Sequence, residues 1–282
     1  MKILVTGVKG QLGFDIVREL NERGYTDVRG IDIEDLDITD EQAVKKYIEE
    51  YKPDVIMHNA AWTAVDKAED EQELCYKVNV LGTKYLAESA KNVGAKIVYI
   101  STDYVFDGEG ENYFEVNDKK APLSVYGKTK YQGELEVQKN EKHFIVRISW
   151  VFGINGKNFV KTMLGLAETK TELNVVADQI GSPTYTYDLS KLLCDMIETE
   201  KYGEYHATNE GICSWCDFAK KIFEIAGVNM KVNAVTSDQY PAKAHRPKNS
   251  RLSKNSLDKA GFNRLPTWED AVTRYIKNEL KK

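Results

Sequence analysis

Short apolar runs alternate with stretches of helical spacing along the first half of the chain. Leu12, Ile16 and Leu20, for example, recur at the interval that places apolar side chains on one face of a helix. The pattern predicts strands at residues 2–6, 28–33, 54–58, 96–100 and 143–148, and helices at 11–23, 41–51, 71–93 and 124–139. Strands that alternate with helices of this length need crossover connections, so we predict an α/β fold with a doubly wound parallel sheet.

The pattern changes beyond Trp150. Helical spacing continues at residues 158–168, 187–199, 215–226 and 268–280, but short strands and polar loops separate these stretches. We therefore predict a first domain over residues 1–149 and a smaller lobe over residues 150–282. Parts of residues 170–208, namely strands 173–176 and 204–206, are expected to return to the main sheet.

Composition narrows the class of protein. The 282 residues are 42% hydrophobic, enough for a large core, and the net charge of -5 comes from interspersed acids and bases. Without a basic block we expect no nucleic-acid partner, and without a long apolar run we expect no membrane association and a cytoplasmic location. Four scattered cysteines do not make a disulfide framework, and we expect Cys213 and Cys216 to be packing or capping residues.

A glycine-rich segment follows the first predicted strand and opens the first predicted helix. In it, Gly7 permits a tight turn, Gly10 lets the backbone approach a pyrophosphate, and Gly13 lets the helix pack on the strand. The free N–H groups of the helix N-terminus would face the phosphates. This arrangement predicts that the first domain is a Rossmann domain that binds a nicotinamide dinucleotide.

Polar residues at the ends of the next two strands extend this prediction. Asp32 is placed to accept hydrogen bonds from the adenosine ribose, which favours NADH over NADPH, although Lys9 leaves NADPH possible. Asp37 and Ile38 either flank the adenine or end a polar loop. Small residues at the carboxyl end of the third strand leave room for the cofactor at Ala60, Ala61 and Thr63.

A tyrosine and a lysine one helical turn apart indicate the chemistry. Tyr126 and Lys130 project from the same face of a predicted helix, and a nearby ammonium lowers the pKa of a phenol toward the working range. Thr102, at the end of a central strand, would polarise a substrate carbonyl. We therefore predict a ketone or alcohol oxidoreductase in which Tyr126 transfers the proton and Lys130 tunes Tyr126 and holds the nicotinamide ribose.

Three further residues are candidates for substrate contacts. Arg246 and Arg251 offer bidentate donors to a sugar-nucleotide diphosphate, or alternatively are solvated or paired with carboxylates. Trp150 presents a flat face on which a sugar could stack, or is a core residue at a strand end.

Together these residues resemble the extended short-chain dehydrogenase/reductase superfamily and, within it, the dTDP-4-dehydrorhamnose reductase family. The resemblance spans nearly the whole chain. It is carried by the segments GQLG at 10–13, AAWTAVDKAE at 60–69, STDYVFDG at 101–108, YGKTK at 126–130, RISWVFG at 147–153, NFVKTM at 158–163, DQIGSPT at 178–184 and RPKNSRL at 246–252.

The resemblance implies reduction of the 4-keto group of dTDP-4-dehydro-6-deoxy-L-mannose to dTDP-L-rhamnose, with hydride from NAD(P)H and the proton from Tyr126. It implies sugar-nucleotide contacts from Thr102, Asp103 and Trp150. It also implies a cofactor lining that includes Gly10, Gln11, Leu12, Asp37, Ile38, Ala61, Trp62 and Thr63. Some relatives are dimers joined through Mg²⁺. Asp15 and Asp188 are the candidate ligands here, and their short side chains leave both the metal and the choice between monomer and homodimer open.

Related activities are separated by single positions. A 4,6-dehydratase needs a glutamate after the Thr-Asp pair, and Tyr104 stands there instead. A 4-epimerase typically has Gly-Phe-Ile-Gly in place of the segment at 10–13, so epimerase ranks below reductase. Another sugar-nucleotide reductase remains an alternative. A non-catalytic regulatory relative of methionine adenosyltransferase is disfavoured because the Thr102, Tyr126 and Lys130 set is complete.

Overall fold

A parallel sheet of short, buried strands forms the centre of the first half of the chain. The computed structural model describes residues 1–281. The first five strands are β1 (Ile3–Thr6), β2 (Val28–Ile31), β3 (Val55–His58), β4 (Lys96–Thr102) and β5 (His143–Ile148). The helices among them are α1 (Gln11–Glu22), α2 (Glu41–Tyr51), α3 (Val65–Ala68), α4 (Gln72–Tyr76), α5 (Thr83–Val93) and α6 (Val125–Val137). A π-helical turn, Lys77–Gly82, joins α4 to α5, so the long helix predicted at 71–93 contains a wide turn.

The second half has more and shorter elements. Its strands are β6 (Val151–Phe152), β7 (Glu172–Val176), β8 (Ile180–Gly181), β9 (Thr184–Tyr185), β10 (Gly203–His206), β11 (Cys213–Ser214), β12 (Lys231–Val235) and β13 (Asn249–Ser250). Its helices are α7 (Phe159–Leu166), α8 (Thr186–Ile197), α9 (Trp215–Ala226), α10 (Asn255–Ala260) and α11 (Trp268–Arg274), the last continued by a π turn, Tyr275–Glu279.

The central sheet has the order β10-β5-β4-β3-β1-β2, and every neighbouring pair is parallel. This confirms the predicted doubly wound α/β fold. Strand β10 returns to this sheet beside β5, as expected from the sequence. The strand predicted at 173–176 does not: β7 pairs with β12 in a separate two-stranded sheet. An apolar run alone does not encode which partner it takes, because both pairings bury the same side chains.

The two halves share a hydrophobic core. Helix α8 contributes Leu189, Leu193 and Ile197 to the cluster that also holds Ile16 and Leu20 of α1. A second cluster covers the opposite face of the sheet, and a third, built on α7, α9 and α11, is the core of the later lobe. The chain therefore crosses between the halves after Trp150 more than once. Within residues 1–281 no helix combines the length and apolar character needed to cross a bilayer.

Candidate active site

A cavity of about 1280 Å³ opens at the carboxyl edge of β1, β3 and β4 and extends under the later lobe. This is the edge at which ligands bind in doubly wound sheets. The lining contains nearly every residue that the sequence predicted for the cofactor or the substrate. These are Gly7, Gly10, Gln11, Leu12, Gly13, Asp32, Asp37, Ile38, Ala60, Ala61, Trp62, Thr63, Thr102, Asp103, Tyr126, Lys130, Trp150 and Arg246.

The glycine-rich loop packs tightly enough to require glycine. A Cβ placed on Gly13 would lie 2.3 Å from the carbonyl oxygen of Gly7, so any larger residue would push α1 off the loop. Gly10 stands at the N-cap of α1 with no side-chain cap, which leaves the first N–H groups of the helix facing the cavity. This loop suits the pyrophosphate of a dinucleotide.

Asp32 is tied to the same loop. Its carboxylate accepts hydrogen bonds from the backbone N–H groups of Lys9, at 2.9 Å, and Ile33, at 2.9 Å. The Lys9 ammonium in turn lies 2.6 Å from the carboxylate of Glu34, and both side chains are exposed. Asp32 therefore fixes the loop as well as lining the cavity.

A residue that the sequence analysis missed holds the opposite wall. The buried amide of Asn79 accepts from the backbone N–H of Trp62 at 2.8 Å and donates to the Trp62 carbonyl at 3.2 Å. A further hydrogen bond, 3.1 Å long, runs from Asn79 to the hydroxyl of Thr129 on α6. Asn79 lies in the π-helical turn, and such turns often mark functional sites. Its only signal in the sequence was a polar residue on an otherwise apolar helix face.

The catalytic candidates come together where β4 ends beside the first turns of α6. Ser124 caps α6 by accepting from the N–H of Gly127 at 3.1 Å, and this fixes where Tyr126 and Lys130 enter the cavity. The Thr102 hydroxyl donates to Asp103 at 2.9 Å. Lys130 is 3% exposed and Tyr126 lies at the cavity surface.

Burial sets the proton affinities of these groups. It raises the pKa of Tyr126 well above its usual value, and a hydrogen bond with Thr102 only partly opposes the shift. Burial also lowers the pKa of Lys130 to about 7, against the opposing charge of Glu134. The pKa of Tyr126 is therefore raised where the sequence analysis expects a lowered one, and loss of hydration is the largest cause.

Asp103 is a buried carboxyl with two hydroxyl partners. Thr102 donates to one of its oxygens and Ser250 of β13 donates to the other. Burial raises the pKa of Asp103 to about 6, although both hydrogen bonds favour the charged form. Asp103 thus joins the end of β4 to the later lobe across the cavity.

Trp150 has a strained backbone at the cavity wall. Its φ of 52° lies in the left-handed region, which is unusual for a bulky residue and is commonly found at functional sites. The indole stacks on Trp215 with ring centroids 3.8 Å apart. One face of the ring predicted for sugar stacking is thus covered by another tryptophan.

The two arginine candidates differ in position. Arg246 lines the cavity, where its guanidinium donates to Asp66 at 2.6 Å and to the Tyr104 hydroxyl at 3.1 Å. Arg251 is not in the lining, and its guanidinium donates to the Asn249 side chain at 3.0 Å. The structure therefore does not place Arg251 as a substrate contact, because the chain turns at β13 and carries it past the cavity.

The candidate metal ligands are engaged in separate interactions. Asp15 accepts from the Thr186 hydroxyl, and burial raises its pKa to about 6. Asp188 forms an ion pair with Arg274 at 2.7 Å and accepts from Asn209 at 2.9 Å. No group of three metal-binding side chains occurs in the part of the chain that the structure covers.

Both cysteines of the closely spaced pair are unpaired and buried in the later lobe. Ser214, between them, caps α9 through a reciprocal arrangement with Asp217. The capping role falls to this serine, and the cysteines pack in the core.

Comparison with known proteins supplies the family. Residues 1–281 match the family described as RmlD substrate binding domain. A dTDP-4-dehydrorhamnose reductase of Aggregatibacter actinomycetemcomitans is 43% identical over 285 residues, covering 96% of this chain and 97% of that protein.

Two solved structures are similar over nearly their whole length. The crystal structure of a dTDP-4-dehydrorhamnose reductase from Clostridium acetobutylicum has a TM-score of 0.97 and 45% identity, covering 100% of both chains. That of a dTDP-4-dehydrorhamnose reductase from Bacillus anthracis strain Ames, in complex with NADP, has a TM-score of 0.94 and 44% identity, covering 97% of this chain and 98% of that chain.

Proposed function

Since this chain belongs to the RmlD substrate-binding family, whose similar members include dTDP-4-dehydrorhamnose reductases, we propose that it reduces a dTDP-linked 4-keto sugar. The reaction is reduction of the 4-keto group of dTDP-4-dehydro-6-deoxy-L-mannose to dTDP-L-rhamnose, with NAD(P)H as the reductant. The chain is accordingly an oxidoreductase.

The glycine-rich loop, Asp32 and the wall held by Asn79 would hold the dinucleotide, and its reduced nicotinamide would supply hydride to the carbonyl carbon. Tyr126 then gives its phenolic proton to the carbonyl oxygen. Lys130, one turn along α6, stabilises the tyrosinate that remains and faces the same cavity.

The observation that carries the proposal is that Thr102, Tyr126 and Lys130 meet in one cavity beside the glycine-rich loop. A reductase needs a proton donor there, and the Tyr126 phenol is protonated at neutral pH, since burial raises its pKa. A bound carbonyl oxygen would compete with Asp103 for the hydrogen of Thr102, since that hydroxyl already donates to Asp103 at 2.9 Å. Thr102 therefore polarises the carbonyl most strongly once substrate has displaced that bond.

The position after Asp103 argues against dehydration. Elimination of water needs a base there, and Tyr104 has a pKa raised by burial and accepts a hydrogen bond from Arg246. A neutral phenol held in this way does not abstract a proton at neutral pH.

The substrate contacts proposed here are Thr102, Asp103, Trp150 and Arg246. Arg246 supplies a cationic fork toward the diphosphate, at the expense of its pair with Asp66. For the cofactor we propose a preference for NADH with NADPH accepted. Asp32 disfavours a 2'-phosphate, and Lys9 is available to offset it once it leaves Glu34.

We also propose a cytoplasmic location, which fits four free thiols, and leave open both Mg²⁺ binding and the choice between monomer and homodimer.

The test is oxidation of NADH and, separately, of NADPH by purified protein, with the 4-keto substrate generated in place. Cofactor consumption in step with formation of dTDP-L-rhamnose supports the proposal. Binding of either cofactor without oxidation would overturn the substrate assignment and leave the fold unaffected.

A further inference from the structure

The ammonium of Lys130 has an aromatic neighbour. Its Nζ lies 4.0 Å from the ring centroid of Tyr99, a fully buried residue in the middle of β4. Across residues 1–281 no side chain or backbone group forms a hydrogen bond or ion pair with this ammonium. In a buried setting the face of an aromatic ring attracts a cation and favours its charged form.

Tyr99 also contacts the backbone of the catalytic helix. Its hydroxyl donates to the carbonyl oxygen of Lys130 at 3.2 Å. Gly133 makes room for this contact, because a Cβ there would lie 2.3 Å from the Tyr99 oxygen. The ring thus holds the end of the lysine side chain while the hydroxyl holds its backbone.

A chain of hydrogen bonds from the end of β1 fixes His58, whose ring packs against Tyr99. The Thr6 hydroxyl accepts from the backbone N–H groups of Asn59, at 3.2 Å, and Ala60, at 3.1 Å. Its own hydrogen must then go to Nδ1 of His58, 3.0 Å away. His58 therefore carries its proton on Nε2 and donates to the hydroxyl of Thr83 at 3.0 Å.

His58 contacts Tyr99 directly, with ring centroids 5.6 Å apart and ring planes tilted by 37°. The Tyr99 hydroxyl uses its own hydrogen on the Lys130 carbonyl. Burial lowers the pKa of His58 to about 3, so the imidazole stays neutral and adds no charge beside the lysine. The hydrogen-bond partners of His58 lie on β1 and α5, so spacing along the chain does not reveal its role.

We propose that Tyr99 is a positioning residue for the catalytic lysine, its ring holding the ammonium charged and its hydroxyl fixing α6, with neutral His58 packed against that ring. This role rests on the proposed function of Lys130. It makes Tyr99 and His58 parts of the catalytic apparatus, although neither lines the cavity.

The other groups around Lys130 do not replace the ring. Glu134 on the same helix acts on it by charge, but both oxygens of that carboxylate are held by Arg147 at 2.7 Å. Cys75 on α4 has a pKa raised by burial and is a neutral thiol. Tyr126 on α6 and His58 on β3 are also neutral. The face of the Tyr99 ring meets the ammonium directly, at 4.0 Å.

The first experiment measures the charge of Lys130 without turnover. The protein, purified without cofactor, carries 4-fluorophenylalanine at position 99, and the ¹⁹F resonance is followed against pH. We expect an inflection near neutral pH that disappears in the same protein with Lys130→Met. An inflection that survives Lys130→Met, or none at all, would overturn the proposal and would leave the substrate assignment untouched.

The second experiment varies the ring and preserves its shape. Tyr99→Phe is compared with 4-fluoro-, 3,4-difluoro- and 3,4,5-trifluorophenylalanine at the same position, because each fluorine weakens the attraction of the ring face for a cation. We expect the alkaline limb of kcat/KM to move steadily to lower pH, by about one unit over the series, since a weaker contact makes Lys130 easier to deprotonate.

Two controls separate a weaker attraction between the ring and the Lys130 ammonium from a loss of packing. Tyr205→Phe removes another buried hydroxyl that donates to a backbone carbonyl, that of Lys201 at 2.6 Å, and should leave the alkaline limb in place. Tyr99→Leu should move the alkaline limb to lower pH and raise KM for the cofactor, both by more than Tyr99→Phe does. A fluorine series that changes kcat but leaves the limb fixed would show a structural role only.

Discussion

The two sides of the cavity are built on different physical principles. The catalytic corner (Thr102, Asp103, Tyr126 and Lys130) is held by a strand end and a helix start, and Asp103 and Lys130 are each 3% exposed. The outer wall (Asp66, Tyr104 and Arg246) is held by an ion pair whose side chains are 47% and 30% exposed for Asp66 and Arg246. Burial determines the properties of the catalytic corner, whereas the outer wall depends on an ion pair whose partners can be replaced.

The difference corresponds to two tasks. In the catalytic corner, removal of water keeps the Tyr126 phenol protonated and lowers the pKa of Lys130 to about 7. At that pKa, a small contact such as the one with the Tyr99 ring affects how much of Lys130 is charged. On the wall, an exposed ion pair contributes about 0–1 kcal/mol, so Arg246 can leave Asp66 for a diphosphate at little cost. Proton transfer needs fixed geometry, and substrate entry needs a contact that can be replaced.

The largest expected effect is in the corner. Tyr126→Phe removes the proton donor, and we expect kcat to fall by about 10²–10⁴-fold while cofactor binding and the free energy of unfolding change little. The measurement is steady-state turnover together with urea unfolding and cofactor titration. Near-normal turnover in Tyr126→Phe would contradict the assigned mechanism, and Tyr205→Phe serves as the matched control.

The next effect concerns stability beneath the corner. Arg147 and Glu134 are fully buried and joined by two hydrogen bonds of 2.7 Å, and Glu134 lies one turn beyond Lys130. Arg147→Met leaves a buried carboxylate unpaired, so we expect the free energy of unfolding to fall by about 3–5 kcal/mol. Adding Glu134→Met should recover much of the loss, since the buried charge is then gone and Glu204, the other carboxylate on Arg147, keeps Lys120 at 3.7 Å.

An exposed ion pair from the same two segments as the outer wall provides the comparison for that measurement. Lys243 and Asp70 form an ion pair with side chains 52% and 61% exposed, and Lys243→Met should change the free energy of unfolding by less than about 1 kcal/mol. Equal losses for Lys243→Met and Arg147→Met, by urea unfolding, would remove the distinction between the two regions.

A third prediction uses pH. Lys130 must be charged to stabilise the tyrosinate, and its pKa is lowered to about 7, so kcat/KM should decline as pH rises through that value. The free energy of unfolding should instead increase as pH rises above that value. The unfolded lysine holds its proton up to a higher pH than the folded one, so the Lys130 contribution to stability grows from about 7 upward and is lost as pH falls through 7. The difference between wild type and Lys130→Met, by unfolding at several pH values, isolates this contribution.

These regions also differ in how far the sequence anticipates them. The glycine-rich loop and the Tyr126–Lys130 pair are local patterns, in which spacing along one strand, turn or helix fixes the geometry. Tyr99, His58 and Asn79 were missed because their roles depend on partners from other elements. The pairing of β7 with β12, and not with the central sheet, was missed for the same reason.

The outer wall shows most clearly what cannot be predicted from the sequence. Arg246 and Arg251 flank the two-residue strand β13 without periodic spacing, so nothing in the sequence distinguishes them, yet of the two Arg246 lines the cavity. Charge and residue type predicted that an arginine of this segment contacts the diphosphate. Which of them faces the cavity depends on the turn into β13, a feature set by tertiary packing.

The smallest effects should separate these two arginines. Arg246→Met should raise KM for the sugar nucleotide by about 10-fold or more, as expected for loss of a charged hydrogen-bond donor, with kcat nearly unchanged because the corner is intact. Arg251→Met removes the same charge from the other side of β13 and should change KM by less than about 2-fold. The wall assignment would fail if the two variants raised KM equally.

Asp66→Asn extends the comparison: it frees Arg246 from its partner at 2.6 Å, so KM should stay the same or fall slightly. A large rise in KM for Asp66→Asn would instead mean that the ion pair orients Arg246 for substrate, and the outer wall would then be as preorganised as the corner.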